Sequence, residues 1–290
     1  MEILPTQVHN KNRRSVCLET SSEKMLYQLA LFALLGTSAF RGNFLPHFAN
    51  VFSATKISCQ TAGRKLPSCW QEVATVVAAS GKERSATSKC WQECAKVWRE
   101  VATAQASIVK IHNDLRSEIA KGLFLAKGIE KPPASDMMKI SWDDSIAESA
   151  QTFIEKCPMN HTKTEYGENM HRSWSSKEIT DLDIYGTKAA ESWAGEFQKK
   201  GWESNIYTKD TEKSGIGHAT QMVWSQAYLI GCGVKDCGPD KTKKNMHKIT
   251  VVCRYIEKGN IKDTNIYNEG KTCSACPSSA KCEPESGLCT

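Results

Sequence analysis

Four short segments between residues 112 and 261 combine histidine, carboxylate and amide side chains. They are His112–Arg116 (HNDLR), Gly167–Asn169 (GEN), Gly217–Trp224 (GHATQMVW) and Val252–Ile261 (VCRYIEKGNI). Imidazoles and carboxylates can pair by hydrogen bonds, move protons or coordinate divalent metal ions. The sequence contains no Gly-x-Ser-x-Gly segment and assigns no Cys–His pair as a nucleophile. The residues therefore indicate a polar or metal-binding cleft more than an acyl-transfer site.

The helices that must position these segments follow from apolar periodicity. Ile108, Ile111, Leu115 and Ile119 form a stripe at helical spacing, which predicts a helix from about Ala104 to Lys121 that stops at Gly122. The other predicted helices open at Trp142-Asp143-Asp144, span about Ile184 to Lys200 with Gly201 as the end, and form a short turn over Gly217–Trp224.

Two predicted strands follow the last helical turn. They are Tyr228–Val234 and Lys248–Tyr255, and in the second Ile249, Val251 and Cys253 alternate with Thr250, Val252 and Arg254. Helices on both faces of a small sheet predict an α+β domain, a three-layer α-β-α sandwich over residues 104–260.

Thirteen cysteines in 290 residues indicate an oxidising compartment. Met25–Ala39 has the short apolar run and small-residue end of a signal peptide, and its removal would take Cys17 with it and leave an even cysteine count. Met25 is the expected start, with a signal anchor in the longer form as the alternative. We expect an extracellular protein with no stable membrane span in its mature form. The net charge of +6 comes without any nucleic-acid motif, so nucleic acid is not an expected partner.

Residues 40–103 are predicted to be a helical, cysteine-containing extension. Cys69-Trp70-Gln71-Glu72 recurs as Cys90-Trp91-Gln92-Glu93. Cys90 and Cys94 lie four apart on one helix, too far for a mutual disulfide, so they are expected to bridge to Cys59 and Cys69 in a helical hairpin. The alternative is a poorly packed extension or a gene-model artefact.

The tail, residues 261–290, holds four cysteines and no apolar run. Such a segment needs cross-links, and two disulfides among Cys273, Cys276, Cys282 and Cys289 are expected. Zinc binding by the Cys-x2-Cys pair is the alternative.

The order and spacing of the four segments, together with the cysteines, resemble the CAP superfamily of cysteine-rich secretory proteins, venom allergens and group 1 pathogenesis-related proteins. The resemblance covers roughly residues 104–290. It implies that the His112–Arg116 segment locks the first helix into the core. It also implies the disulfide pairs Cys157–Cys237 and Cys232–Cys253, for which the sequence alone allows three pairings.

The resemblance also implies a tetrad made of His161, Glu168, Glu196 and His218. His161 rests on a Cys157-x3-His spacing, and His171 is its rival. Two imidazoles and two carboxylates resemble the coordination sphere of catalytic zinc, so we expect a divalent ion, with Zn²⁺ first, bound directly by the histidines. The alternative is a structural hydrogen-bond network. A glycan on the Asn160-His161-Thr162 sequon would crowd His161 unless the loop faces outward.

The function implied by the resemblance is extracellular binding, without enzymatic activity. The expected partners are a sterol or fatty acid, or an extracellular protein receptor. The alternatives are a metal-dependent enzyme centred on the tetrad and a toxin-like modulator of channels or receptors.

Overall fold

The computed structural model describes residues 84–177 and 179–290, with side chains from residue 102 onward. The signal-peptide prediction for Met25–Ala39 and the predicted bridges of Cys59 and Cys69 to Cys90 and Cys94 lie outside the described residues and side chains.

The described chain is an α+β domain with a tail of short strands. Its helices are α1 Arg84–Ala120, α2 Asp144–Ile154, α3 Asp183–Ala194, α4 Glu196–Lys200, α5 Lys209–Lys213 and α6 Gly217–Met222. Its strands are β1 Leu125–Ala126, β2 Ile129–Glu130, β3 Ser141–Trp142, β4 Gly167–Ser175, β5 Ile206–Tyr207, β6 Leu229–Asp240, β7 Met246–Ile256, β8 Thr264–Asn265, β9 Cys282–Glu283 and β10 Leu288–Cys289.

A four-stranded sheet in the order β3-β6-β7-β4 forms the middle layer. Helix α2 packs on one face of β6 and β7, and α1, α3 and α6 cover the other face. The predicted three-layer α-β-α sandwich is confirmed. Strand β4 is an edge strand, so side chains from both faces can be reached at its margin.

Helix α1 starts earlier than the sequence predicted. It is continuous from Arg84 to Ala120 and so crosses the expected boundary between residues 103 and 104. Its 37 residues contain neither glycine nor proline, so nothing in the chain breaks the helix at Ala104. The predicted stop at Gly122 is confirmed, with a left-handed φ of 68°.

Two other boundaries illustrate how local chemistry sets the elements. Helix α2 begins where expected, because the Asp143 carboxylate accepts a hydrogen bond of 2.9 Å from the backbone N–H of Ile146. The predicted helix from Ile184 to Lys200 is instead divided into α3 and α4 at Gly195.

Strand β6 approaches α2 closely because two of its residues lack side chains. A Cβ on Gly231 would lie 2.1 Å from the backbone nitrogen of Ala147, and one on Gly233 would lie 2.7 Å from the backbone of Gln151. The glycines therefore set the spacing between the sheet and α2.

Arg116 joins helix α1 to the loops beneath the site. Its side chain is fully buried, and its three nitrogens donate five hydrogen bonds of 2.8–3.0 Å, all to backbone carbonyls. The acceptors are Met138, Met222, Trp224, Ser225 and Ala227. The guanidinium thus satisfies the Met138 carbonyl and four carbonyls within residues 222–227, which confirms the locking role expected of this segment.

The two disulfides of the domain have the pairing that the family resemblance implied, and the tail forms the two disulfides expected of it. Cys157–Cys237 and Cys232–Cys253 join the domain, and the tail is closed by Cys273–Cys282 and Cys276–Cys289. In the described part of the chain, no helix combines the length and apolarity needed to cross a membrane.

Candidate functional site

His218 and Glu196 form the first of two histidine–carboxylate pairs. His218 lies in the first turn of α6, and Glu196 is the first residue of α4. His218 Nδ1 lies 2.6 Å from Glu196 Oε1, while Glu196 Oε2 accepts a hydrogen bond of 3.0 Å from the Ala219 backbone N–H. The imidazole also stacks on the buried Trp193 ring, with centroids 5.8 Å apart. One carboxylate therefore fixes both the ring and the backbone of α6.

His161 and Glu168 form the second pair. His161 Nδ1 lies 2.9 Å from Glu168 Oε1, and the Thr162 backbone N–H and hydroxyl each lie 3.3 Å from the same carboxylate. The Glu168 side chain is only 4% exposed, whereas His161 is 55% exposed. Burial raises the Glu168 pKa, but the hydrogen bonds from His161 and Thr162 and the charge of Arg254 outweigh it. The net shift is below the usual value, so Glu168 stays ionised at neutral pH.

Arg254 is a member of the site that the sequence did not single out. It faces Glu168 across the β4–β7 ladder, with Nε 3.3 Å from Glu168 Oε2. Its Nη1 donates to the carbonyl and hydroxyl of Ser149 at 3.1 and 2.7 Å. The guanidinium also lies 5.0 Å from the Phe153 ring centroid and 5.6 Å from that of Tyr166. The available sequence signal was the presence of an arginine within the Val252–Ile261 segment.

The two pairs flank the edge strand β4. Glu168 reaches Arg254 and, through it, α2. The next residue, Asn169, points to the other face, where its amide donates to the His218 carbonyl at 3.0 Å and to the Tyr255 hydroxyl at 3.1 Å. No three of His161, Glu168, Glu196 and His218 bring ligand atoms within 4.8 Å of one another. The four residues are arranged as two linked pairs.

The types of donor present, two imidazoles each paired with a carboxylate, are those found in metal-binding sites of proteins. In each pair Nδ1 lies within hydrogen-bonding distance of a carboxylate oxygen, which accepts, so Nδ1 donates. The lone pair on each Nε2 is then left for a ligand. Metal-binding histidines commonly donate their other N–H to a carboxylate in this way, which fixes the tautomer and the ring orientation.

His171, the rival residue, lies on β4 near the His218 pair. Its ring centroid is 6.4 Å from that of Trp193, which also stacks on His218. Burial lowers the pKa of His171 and the charge of His218 lowers it further, while Glu196 partly offsets both. A third imidazole, with its pKa below the usual value, therefore lies beside the His218 pair.

A buried chain of hydrogen bonds, the relay, connects the site to the core. The Tyr255 hydroxyl accepts from Asn169 and lies 3.0 Å from His112 Nε2, while His112 Nδ1 lies 2.8 Å from the Ile108 carbonyl. Since the carbonyl can only accept, Nδ1 donates and Nε2 accepts from Tyr255. Burial lowers the pKa of His112 to about 4, and nearby Arg116 adds to the shift. His112 is thus a neutral structural residue.

The structure also bears on two earlier alternatives, a glycan crowding His161 and zinc binding by the tail cysteines. Asn160 and His161 are exposed, so the loop faces outward and a glycan on Asn160 has room in solvent. In the tail, the sulfurs of Cys273, Cys276 and Cys289 lie within 4.8 Å of one another. All three sulfurs are in disulfides, however, and zinc requires thiolates.

Comparison with known proteins identifies the family. Residues 109–255 match the model of CAP, described as the cysteine-rich secretory protein family. The chain belongs to the CAP family. This CAP chain is 32% identical to a Trittame loki protein named CRISP/Allergen/PR-1 over 201 residues, covering 65% of this chain and 47% of that relative. It is 31% identical to Ancylostoma secreted protein of Ancylostoma caninum over 208 residues, covering 69% and 47%. The chain spans less than half the length of both curated relatives.

Solved structures agree with the CAP assignment. The structure of BmVAL-1 superposes with a TM-score of 0.58 and 29% identity, covering 64% of this chain and 93% of that one. The crystal structure of NaASP2 with Zn²⁺ has a TM-score of 0.56 and 31% identity, covering 64% and 95%.

Proposed function

We propose that this CAP chain acts outside the cell as a binding protein whose cleft holds a divalent cation, Zn²⁺ first, through His161 and His218. The observation that carries the proposal is the pairing of each Nδ1 with a carboxylate, at 2.9 and 2.6 Å, which leaves each Nε2 for a ligand. Glu168 and Glu196 orient the rings. The Zn²⁺ ion in the NaASP2 structure supports a cation site in this fold. The four disulfides of the described region support a location outside the cell.

The ion would supply a positive charge and an open coordination position for a donor atom of a partner. The chain's own residues fix where that position lies. Arg254 neutralises Glu168 and holds it on His161, so Glu168 serves the ring and not the ion. Both carboxylates are occupied in hydrogen bonds, Glu196 with His218 and the Ala219 N–H, and Glu168 with His161 and Arg254, so we assign binding and not hydrolysis to the cleft.

Titration calorimetry with ZnCl₂ tests the cation site. Wild type should bind one equivalent, while His218→Ala and His161→Ala should each weaken binding by at least about tenfold. His247→Ala is the matched control, because His247 makes the same contact with a carboxylate, 2.6 Å from Asp236, at a distant hairpin. Absence of binding to wild type, or equal loss in the control, would refute the site.

A sterol or fatty acid, or the apolar face of a protein receptor, is the second part of the proposal. Leu123, Leu125 and Ile129, on and beside the β1–β2 hairpin, are 68, 46 and 62% exposed. Side chains of this size are usually covered, and three within seven residues suit an apolar partner. Radiolabelled cholesterol and palmitate should saturate the wild type, and serine at the three positions should reduce uptake. If neither lipid saturates the protein, the receptor is the remaining apolar partner.

A further inference from the structure

The hairpin between β6 and β7, residues 235–248, carries a concentration of positive charge that the cleft does not use. Five lysines and one histidine accompany two aspartates in this segment. Lys241, Lys243 and Lys244 lie at the turn, and all three are exposed. No described carboxylate oxygen lies within 4.0 Å of their ammonium groups.

The aspartates of the hairpin are occupied in building the turn. Asp240 Oδ1 accepts from the Thr242 backbone N–H and hydroxyl at 2.9 and 2.7 Å, and Oδ2 accepts from the Trp174 indole at 2.9 Å. Asp236 Oδ2 lies 2.6 Å from His247 Nδ1, while Oδ1 accepts from the Gly238 N–H at 2.8 Å. Both aspartates are therefore engaged in hydrogen bonds of the turn, and neither forms an ion pair with Lys241, Lys243 or Lys244.

The backbone holds the lysines outward. Lys244 and Asn245 adopt left-handed φ values of 55° and 57°, and the Asn245 N–H donates to the Asp240 carbonyl at 3.0 Å. Lys243 lies over the Trp174 ring, with its nitrogen 5.4 Å from the centroid. The ring is thereby covered on that side. The result is a firm turn that displays several cations on one small surface.

We propose that this lysine hairpin is a docking surface for a sulfated polysaccharide. A single exposed ion pair is worth little in salt, so a small anion would gain little here. A polymer with sulfate groups along its length can engage several lysines at once, and the contacts then reinforce one another.

The same surface fits a membrane less well. Residues 235–248 include none of the large hydrophobic side chains that are strongly exposed in the described chain. The neighbouring Trp174, 38% exposed, is bonded to Asp240 and lies under Lys243, so the surface offers lipid a single ring. A hydrated polyanion requires only the charges. The hairpin proposal is independent of the cation site, and the tests below are run in EDTA to keep the two separate.

Binding of a size-defined heparin oligosaccharide to the full chain tests the proposal. The triple variant Lys241→Gln, Lys243→Gln and Lys244→Gln should bind at least about tenfold more weakly than wild type, with a shallower dependence on salt. The matched control carries glutamine at Lys199, Lys200 and Lys213, which are also exposed and change the net charge by the same amount. The control should stay within about twofold of wild type. Melting temperatures of both variants report that the fold is intact.

Three outcomes would overturn the proposal. The first is no binding of heparin by wild type at physiological salt. The second is equal weakening in both triple variants, which would indicate a diffuse effect of net charge. The third is stronger, hairpin-dependent binding to phosphatidylserine vesicles or to single-stranded RNA than to heparin, which would assign the surface to that partner.

Discussion

His112 should make the stability of this protein depend on pH in a range where most carboxylates do not titrate. Its imidazole is fully buried between the Ile108 carbonyl and the Tyr255 hydroxyl, and its pKa is lowered from 6.5 to about 4. The unfolded chain takes up a proton near pH 6.5, whereas the folded chain does so only near pH 4. Folding stability therefore rises with pH across this window and is lost as the pH falls through it.

The size of the effect follows from the shift. The interval between 6.5 and about 4 corresponds to about 3 kcal/mol when both states are protonated. At pH 5.0 the unfolded state is almost fully protonated and the folded state is not, which costs about 2 kcal/mol relative to pH 7.5. Glu168 contributes in the same direction but at lower pH, because its pKa is already depressed.

The assay is guanidinium unfolding of wild type and His112→Gln at pH 7.5 and pH 5.0, with disulfides intact. Glutamine offers an acceptor to Tyr255 and does not titrate in this range. Wild type should lose about 2 kcal/mol more than the variant between the two pH values. Equal losses in the two proteins would show that His112 is not the buried neutral group that the relay requires.

Three further substitutions probe the scaffold and the site. Arg116→Lys leaves at least two of five buried carbonyls without a donor, so denaturation should show a free energy of unfolding lower by about 3 kcal/mol or more. A loss below about 1 kcal/mol would contradict this role of the five hydrogen bonds. Gly231→Ala places a Cβ 2.1 Å from a backbone atom of α2, so denaturation should show a free energy of unfolding lower by about 1–3 kcal/mol. The control is Gly217→Ala, where the nearest atom to the new Cβ is 3.8 Å away and the loss should be smaller. Equal losses in the two variants would contradict the steric explanation. Glu196→Gln should weaken Zn²⁺ binding by about tenfold in calorimetry by loosening the His218 ring, and unchanged affinity would mean that the carboxylate does not orient it.

Much of the fold could be predicted from local patterns. The apolar stripe of α1, the Asp143 cap of α2 and the alternation along β7 each produced the expected element. The cysteine pairings of the domain came from the family resemblance, since spacing alone left three possibilities open. The start of α1 was wrong because cysteine–tryptophan echoes suggested a separate unit where the chain contains no helix breaker.

Strand β4 was missed for a physical reason. Its sequence, GENMHRSWS, lacks an apolar alternation. Asn169 donates hydrogen bonds and His171 lies near the Trp193 ring on one side, and Glu168 pairs with Arg254 on the other. A strand is recognised in a sequence by alternating apolar residues, and in β4 polar residues take their place. The site residues could be named in advance, but their division into two pairs could not, because it depends on which face of an edge strand each side chain takes.

The Asn169 amide has a consequence for how sequence changes can accumulate here. One side chain holds both the Tyr255 hydroxyl of the core and the carbonyl of His218. A substitution of His112 in the first helix can therefore alter the cleft through Tyr255 and Asn169 without contacting it. Selection on the cleft then also constrains core residues that do not contact a ligand. Core and cleft residues are therefore expected to change together among relatives. A substitution tolerated in one family member need not be tolerated in another.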